Sequence, residues 1–154
     1  MDSILIFGAK YLYIFVLLIA LADFLRQSKD KRIKTILMAI IALPLTYILG
    51  KILGHFYYDP RPFVQNNFIP LIPHSPDNGF PSDHAMLVGA IASIWMFINN
   101  RLSLILWLIA ILVGLSRVAV GIHHYLDIAG AFVIAIACAF IANKILKIKN
   151  LQKK

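Results

Sequence analysis

The sequence predicts an all-α fold, a polytopic membrane helix bundle with about five transmembrane helices. The chain of 154 residues is 60% hydrophobic and 14% charged, whereas soluble domains are about 45–50% apolar and about 25% charged. Its apolar residues fall into runs close to the roughly 20 residues that a helix needs to cross a bilayer. Its basic residues collect between alternate runs, which is typical of a polytopic membrane protein.

The apolar runs place the five spans at residues 11–22, 33–53, 81–98, 102–119 and 125–146. A start of the first span at Ile4 stays open, with residues 1–10 as an interfacial lead-in. Pro44 predicts a kink in the second span, which contacts within a bundle tolerate. Residues 54–80 form the one long connection, and the prolines and glycine of residues 70–79 predict an ordered loop there. A chain of this length is predicted to form one domain, residues 1–154.

The basic residues predict the orientation of the bundle. Eleven of the 15 lysines and arginines fall on one side of the five-span arrangement, namely Arg26, Lys29, Lys31, Arg32, Lys34, Arg101, Lys144, Lys147, Lys149, Lys153 and Lys154. Because such residues accumulate in cytoplasmic loops, this side is expected in the cytoplasm of a multi-pass protein of the cell membrane. The net charge of +8 is then explained by orientation and by attraction to anionic lipid, and not by nucleic acid.

Three polar segments lie at the opposite, outer end of the predicted bundle. They are "DPRPF" at residues 59–63, "FPSDHA" at residues 80–85 and "SRVAVGIHHYLD" at residues 116–127. Ionisable groups beside hydrocarbon are costly and by default mark function. We therefore expect the three segments to converge into a site at the outer face. Cys138 is the single cysteine, so no disulfide or cysteine metal site is expected.

The basic and hydroxyl residues of these segments suit a phosphate group. Arg61 and Arg117 carry planar forks of donors that match phosphate oxygens. Ser82 precedes the third span, where free backbone N–H groups and the helix dipole favour an anion. His84, one turn inside that span, is suited to exchange a proton near neutral pH.

His123 and Asp127 predict a nucleophile and the group that orients it. Their spacing of four residues puts both on one helical face if the fifth span starts by His123. A carboxylate bonded to one imidazole nitrogen fixes the tautomer and leaves the other nitrogen free to attack. His124 points away from His123 on a regular backbone. His55 and His74 are interpreted as solvated loop or interface residues.

Two interpretations of another kind stay open. One is a small channel or transporter whose outer polar ring binds anions, although midplane ionisable groups and broken helix pairs are lacking. The other is a zinc site built from three imidazoles and a carboxylate, those of His84, His123, His124 and Asp127. The two arginines disfavour a cation there, so no metal and no cofactor are expected. Nothing in the sequence indicates an obligate protein partner.

The three segments resemble the signature of the type 2 phosphatidic-acid phosphatase superfamily of integral membrane lipid phosphatases. That signature has a basic residue followed at a distance by Arg-Pro, then Pro-Ser-Gly-His, then Ser-Arg with a His and an Asp downstream. The chain matches it at Arg61-Pro62, at residues 81–84 and at residues 116–127, with five residues between Arg117 and His123. The signature lysine falls at Gly54, and Lys51 is at best a partial substitute one helical turn earlier.

The resemblance implies a role for each matching residue. His123 is the expected nucleophile, Asp127 its orienter and His84 the general acid. The implied phosphate ligands are Arg61, Ser82, Ser116 and Arg117. Beside them, Lys51, Asp83 and His124 are candidate accessory residues. Asp83 replaces the glycine of the second motif.

Within the superfamily, the sequence of residues 58–63 and 71–85 is most similar to the bacitracin-resistance type of undecaprenyl diphosphatase. This resemblance implies removal of the terminal phosphate from a long polyprenyl diphosphate in the membrane, at its outer face. Alternative substrates are phosphatidylglycerophosphate, phosphatidate and a lipid A phosphate, since nothing in the sequence reads the lipid tail.

Overall fold

The computed structural model describes residues 2–151 and the side chains of residues 2–148. Within this range all regular secondary structure is helical, apart from an isolated bridge between Pro60 and Asn78. The helices are α1 Asp2–Arg26, α2 Lys29–Phe56, α3 Pro62–Gln65, α4 Asp83–Trp95, α5 Asn100–Ala119 and α6 Tyr125–Leu151. The predicted all-α class is therefore confirmed.

Four of the described helices, α1, α2, α5 and α6, are long and apolar enough to cross a membrane. Two of them begin earlier than predicted. The expected interfacial lead-in is already helical from Asp2, and the basic segment before residue 33 forms the first turn of α2. Lysine and arginine are good helix formers, and Asp30 lies in the first turn of α2, where the helix dipole favours an acid.

The third predicted span is much shorter than residues 81–98. Helix α4 has 13 residues, which is about 20 Å at 1.5 Å per residue. Residues 96–98 form a turn, and the Asn99 side chain accepts a hydrogen bond from the Leu102 N–H as the cap of α5. The chain still passes from one end of the bundle to the other, because Lys34 near the start of α2 donates to the Phe97 carbonyl oxygen at 2.6 Å.

Helix α4 is enclosed by the other helices. Between Ala85 and Trp95 every residue except Leu87 is buried. Val88 and Ala92 pack in the main core with Met38 of α2 and Leu106 of α5. Helices in lipid associate through close packing and not through exclusion of water, so small residues at contacts favour association. The alanines and glycine of α4 serve this packing.

The helix ends separate two surfaces. Helix α1 ends, and α2 and α5 begin, at the end of the bundle that carries Arg26, Lys29, Lys31, Arg32, Lys34 and Arg101. Helix α6 carries Lys144 and Lys147 toward the same end. The side chain of Lys149 is not described, and Lys153 and Lys154 lie outside the described residues. The three polar segments lie at the other end, where α2 and α5 end and α4 and α6 begin.

Candidate active site

A cavity of about 490 Å³ opens at the end of the bundle where the polar segments meet, within the range of about 300–1,000 Å³ that is usual for ligand sites. Its walls come from the end of α2, the loop of residues 57–82, the first turn of α4, the end of α5 and the turn before α6. The lining includes Lys51, Arg61, Asp83, His84, Arg117 and His123. The structure thus brings residues of all three segments together.

His123 is held by Asp127 at the base of this site. The Nδ1 of His123 lies 3.1 Å from Oδ2 of Asp127, and both side chains are buried. Because a carboxylate only accepts hydrogen bonds, Nδ1 carries the proton and Nε2 keeps its lone pair. The same Oδ2 accepts the backbone N–H of His124 at 2.9 Å. Helix α6 begins at Tyr125, so the pair forms across the turn before the helix and not on one helical face.

Two buried arginines face the other nitrogen of His123. Arg61 Nη1 lies 3.3 Å and Arg117 Nη2 lies 3.5 Å from Nε2. Arg61 is fixed by its bonds to the Ile122 carbonyl oxygen at 2.8 Å and to Asp77 Oδ1 at 2.7 Å. Arg117 donates to the Ala9 carbonyl oxygen of α1 at 3.2 Å. The free ring nitrogen therefore lies between two guanidinium groups.

This environment favours the neutral form of the His123 ring. Burial lowers the pKa of His123 below its ordinary value, and the charges of Arg117 and Arg61 lower it further, although the hydrogen bond and charge of Asp127 act in the opposite direction. A neutral imidazole has a lone pair available, which a nucleophile requires.

The first turn of α4 places His84 in the cavity wall, and Ser82 directly precedes this turn. His84 lines the cavity, and its ring packs edge-on against Tyr13 of α1 with 5.0 Å between centroids. Ser82 is fully buried, and its hydroxyl has no hydrogen-bond partner among the described residues. Arg117 Nε is unpaired in the same sense. Arg117 lines the cavity, and Ser82 lies between the lining residues Pro81 and Asp83, so both are candidate donors for the oxygens of a ligand.

The loop contributes residues that sequence reasoning missed. The sequence predicts a solvated loop or interface residue at His74, whereas the structure places it in the cavity lining with its ring centroid 6.3 Å from that of His123. Burial and then the charge of Arg61 lower the pKa of His74. Burial raises the pKa of Asp77, but its hydrogen bond to Arg61 and the Arg61 charge outweigh burial and hold it below its usual value. The sequence signal was the density of polar residues in "PHSPDNG", which marks a loop but gives no direction to its side chains.

Asn78 holds this loop over the bundle. Its side-chain nitrogen donates to the carbonyl oxygens of Gly54 and Tyr57 at 2.7 and 2.9 Å, and its side-chain oxygen accepts the backbone N–H of Asp59 at 2.9 Å. The Asn78 amide therefore ties its own part of the loop to the end of α2 and to the start of the loop. The ordered loop that the prolines predicted is present.

Two implied site residues lie elsewhere. Ser116 does not line the cavity: its hydroxyl donates to the Leu112 carbonyl oxygen at 2.8 Å and faces Gly8 of α1. The structure therefore does not bring Ser116 together with the other expected phosphate ligands, because the helix turns that side chain away from Arg117. His124 also points out of the cavity, with Nε2 bonded to the Pro60 carbonyl oxygen at 3.2 Å. It braces the loop and does not face His123.

The acidic residues near His124 belong to this brace. The Nε2 of His124 lies 3.8 Å from Oδ1 of Asp59. Burial and the charge of Asp127 raise the pKa of Asp59.

The zinc site that the sequence left open requires His124 on the same side as His84 and His123, whereas His124 points out of the cavity. Among the described residues no group of three or more His, Cys, Asp or Glu side chains is arranged to hold a metal ion.

A bundle of membrane-crossing helices that buries a neutral, carboxylate-bound histidine between two arginines defines an integral membrane phosphatase. Comparison with protein families places the chain more narrowly. It belongs to the PAP2 superfamily, whose match covers residues 33–150. The family that the three segments resembled is therefore confirmed, and with it the enzyme class, so the channel alternative is set aside.

Individual relatives agree with this assignment. The chain is 35% identical over 141 residues to undecaprenyl-diphosphatase BcrC of Bacillus subtilis, across 92% of this chain and 72% of the relative. The crystal structure of Aquifex aeolicus LpxE superposes with a TM-score of 0.73 at 26% identity, covering 93% of this chain and 85% of that one. A PAP2-type phosphatidylglycerolphosphate phosphatase from Bacillus subtilis gives a TM-score of 0.60 at 26% identity, covering 94% and 74%.

Proposed function

We propose that the chain hydrolyses a polyprenyl diphosphate, undecaprenyl diphosphate in particular, to the monophosphate and inorganic phosphate through a phosphohistidine intermediate. The observation that carries this proposal is the setting of His123. Its Nδ1 is bound by Asp127 and its Nε2 faces Arg61 and Arg117. A phosphate held by the two guanidinium groups lies next to a nitrogen with a free lone pair.

In the first step Nε2 of His123 attacks the terminal phosphorus and the bridging P–O bond breaks. His84 gives its proton to the departing oxygen, so that the lipid leaves as the monophosphate. Asp127 stabilises the positive charge that develops on the ring. Arg61 and Arg117 stabilise the negative charge on the equatorial oxygens, and the unpaired Ser82 hydroxyl is a further donor.

In the second step water breaks the N–P bond. His84, now neutral, takes a proton from the water, and the water oxygen bonds to phosphorus as the N–P bond breaks. The products are inorganic phosphate and the free His123. All of these roles are performed by side chains of the described site, and we expect no metal ion and no cofactor to be required.

The substrate class rests on likeness to named relatives. Undecaprenyl-diphosphatases of Bacillus subtilis and of Sulfolobus acidocaldarius match 92% and 94% of this chain. A phosphatidylglycerophosphatase B also matches, at 26% identity over 77% of the chain, so other lipid phosphates are the competing substrates. The basic end of the bundle lies opposite the site, which supports an active site facing outside the cell.

Substrate choice is tested by phosphate release from purified protein in detergent micelles. The panel contains undecaprenyl diphosphate, phosphatidylglycerophosphate, phosphatidate and a lipid A phosphate, each with and without chelator. We expect the highest kcat/KM for undecaprenyl diphosphate and no effect of chelator. A clear preference for another lipid would show that the proposed substrate is wrong. A loss of activity with chelator that zinc restores would show that the proposed metal-independent mechanism is wrong.

The intermediate is tested by rapid quenching with substrate labelled in the terminal phosphate. We expect a base-stable, acid-labile label on the peptide that contains His123, and none in His123→Ala. His84→Ala should slow both the formation and the hydrolysis of the phosphohistidine. If hydrolysis is slowed more, the labelled intermediate should accumulate in this variant. Absence of label from wild type and from His84→Ala under turnover would rule out covalent catalysis by His123.

The orientation is tested separately by cysteine labelling in intact cells, in a background where Cys138 is replaced by serine. Cysteines placed at Asn67 and Asp77 should react with a membrane-impermeant reagent, and one placed at Lys31 should not. Reaction at position 31 alone places the site in the cytoplasm.

A further inference from the structure

The two departures from the superfamily signature meet in space. Lys51 lies on α2 one turn before Gly54, the position of the signature lysine, and Asp83 replaces the signature glycine. The Nζ of Lys51 lies 3.2 and 3.3 Å from the two carboxylate oxygens of Asp83. It also lies 5.2 Å from the centre of the Tyr47 ring, a cation–π contact that helps to fix it. The two changes therefore form one structural unit.

The structure explains why the lysine is displaced. A Cβ atom on Gly54 would lie 2.7 Å from the Phe80 carbonyl oxygen, which is a backbone atom held by the loop. No side chain fits at position 54 without moving that backbone. A cation at this wall of the cavity has to come from another position, and Lys51 supplies it.

The ion pair lies at the mouth of the cavity, and the arginines lie inside. The side chains of Lys51 and Asp83 are 54% and 61% exposed, whereas Arg61 and Arg117 are each 5% exposed. An ion pair this exposed contributes little to folding stability. All four residues line the same cavity. A substrate that has its terminal phosphorus at His123 and extends toward the mouth of this cavity passes the pair.

We propose that Lys51 binds the second, lipid-linked phosphate of the substrate, and that Asp83 holds the lysine at the mouth until that phosphate replaces it. This inference rests on the proposed function, because only a diphosphate has a second phosphate. Lys51 also stabilises the leaving group, since negative charge grows on the lipid-linked phosphate as the bridging bond breaks. A lipid monophosphate carries no charge there to displace Asp83. The pair therefore selects diphosphates.

The test compares two substrates that differ by one phosphate, a polyprenyl diphosphate and the monophosphate of the same chain, in detergent micelles. Lys51→Ala should lower kcat/KM for the diphosphate by about tenfold, less than the roughly 10²–10³-fold cost of losing a buried electrostatic donor, because Lys51 is half exposed; for the monophosphate the loss should be at most about threefold. Lys51→Arg should restore most of the diphosphate activity. Lys10→Ala is the matched control, because Lys10 is exposed near the same end of the bundle but does not line the cavity.

Asp83→Asn gives an opposite signature. Loss of the carboxylate removes a negative charge from the mouth and frees Lys51, so KM for both substrates should fall. The diphosphate should gain more, because only its second phosphate has to displace the carboxylate from Lys51, and the preference for the diphosphate should therefore widen. A fall in diphosphate kcat/KM as large as that of Lys51→Ala would mean that Asp83 has a direct role in the chemistry, and would overturn the proposal.

Inhibition by inorganic pyrophosphate and phosphate separates this inference from the substrate assignment. With whichever lipid the enzyme hydrolyses, Lys51→Ala should raise the inhibition constant of pyrophosphate at least about tenfold more than that of phosphate. Equal changes for both anions, or equal losses with both lipids, assign Lys51 to the transferred phosphate and overturn the inference. Failure of wild type to hydrolyse any diphosphate overturns the proposed function instead.

Discussion

Replacing Asp127 with asparagine separates the charge of this side chain from its shape. Oδ2 of Asp127 accepts two N–H donors, from His123 Nδ1 at 3.1 Å and from the His124 backbone at 2.9 Å. The backbone donor cannot become an acceptor, so the oxygen of the new amide takes the place of Oδ2. His123 then keeps its proton on Nδ1 and its lone pair on Nε2.

The expected loss follows from this geometry. A hydrogen bond to a charged group contributes about 1.5–3 kcal/mol and a neutral one about 0.5–1.5 kcal/mol. The variant therefore loses about 1–2 kcal/mol, which is roughly 5–30-fold in rate. In a serine-protease triad, where the same change leaves the histidine in the wrong tautomer, the loss is about 10⁴-fold. The backbone N–H of His124 is what protects the tautomer here.

The assay is phosphate release at saturating lipid, together with the pH dependence of kcat/KM. Asp127 raises the pKa of His123, so its removal lowers that pKa and moves the acid limb of kcat/KM to lower pH. Thermal unfolding of the variant checks that the buried amide is accommodated. A loss above about 10³-fold in a folded variant, or an acid limb that moves to higher pH, would refute this account of Asp127.

Three further outcomes are expected. The acid limb of wild-type kcat/KM lies below pH 6.5, because burial and then Arg117 keep the pKa of His123 below that ordinary value; a limb centred above pH 7 contradicts a neutral His123. Ser116→Ala keeps activity within about twofold in the phosphate-release assay, since its hydroxyl bonds to the Leu112 carbonyl oxygen; a tenfold loss would return it to the site. Gly121→Ala lowers the midpoint of thermal unfolding by about 2–8 °C, because φ is +84° there and a left-handed residue costs about 1–2 kcal/mol; an unchanged midpoint refutes that strain.

The sequence predicted the convergence of the three segments because each lies next to the same end of a predicted span. It also predicted that His123 and Asp127 meet, but for a different reason: the pair forms across the turn that starts α6. The separation of four positions between His123 and Asp127 is short enough to bring the two side chains together whether or not His123 is helical.

Other features depend on contacts that no local pattern shows. The direction of His74 and Asp77 follows from a loop tied down by Asn78, and these three residues carry no periodicity. The end of α4 at Trp95 is hidden because residues 96–98 are as apolar as the helix before them. Ser116 is an example of the opposite kind. The motif places it next to Arg117 in the sequence, but neighbouring residues of a helix point in different directions, so the two side chains do not share a face of α5.

The enclosure of α4 divides the chain into two kinds of evolutionary constraint. Residues that face lipid on the outer helices, such as Leu18 and Leu25, need only remain apolar, because the bilayer adapts to their shape. Residues of α4 such as Val88 and Ala92 contact protein on every side, so a change in their volume has to be matched by a partner on another helix. Sequence drift should therefore be fast and independent on the exposed face of α1, and slow and correlated along α4.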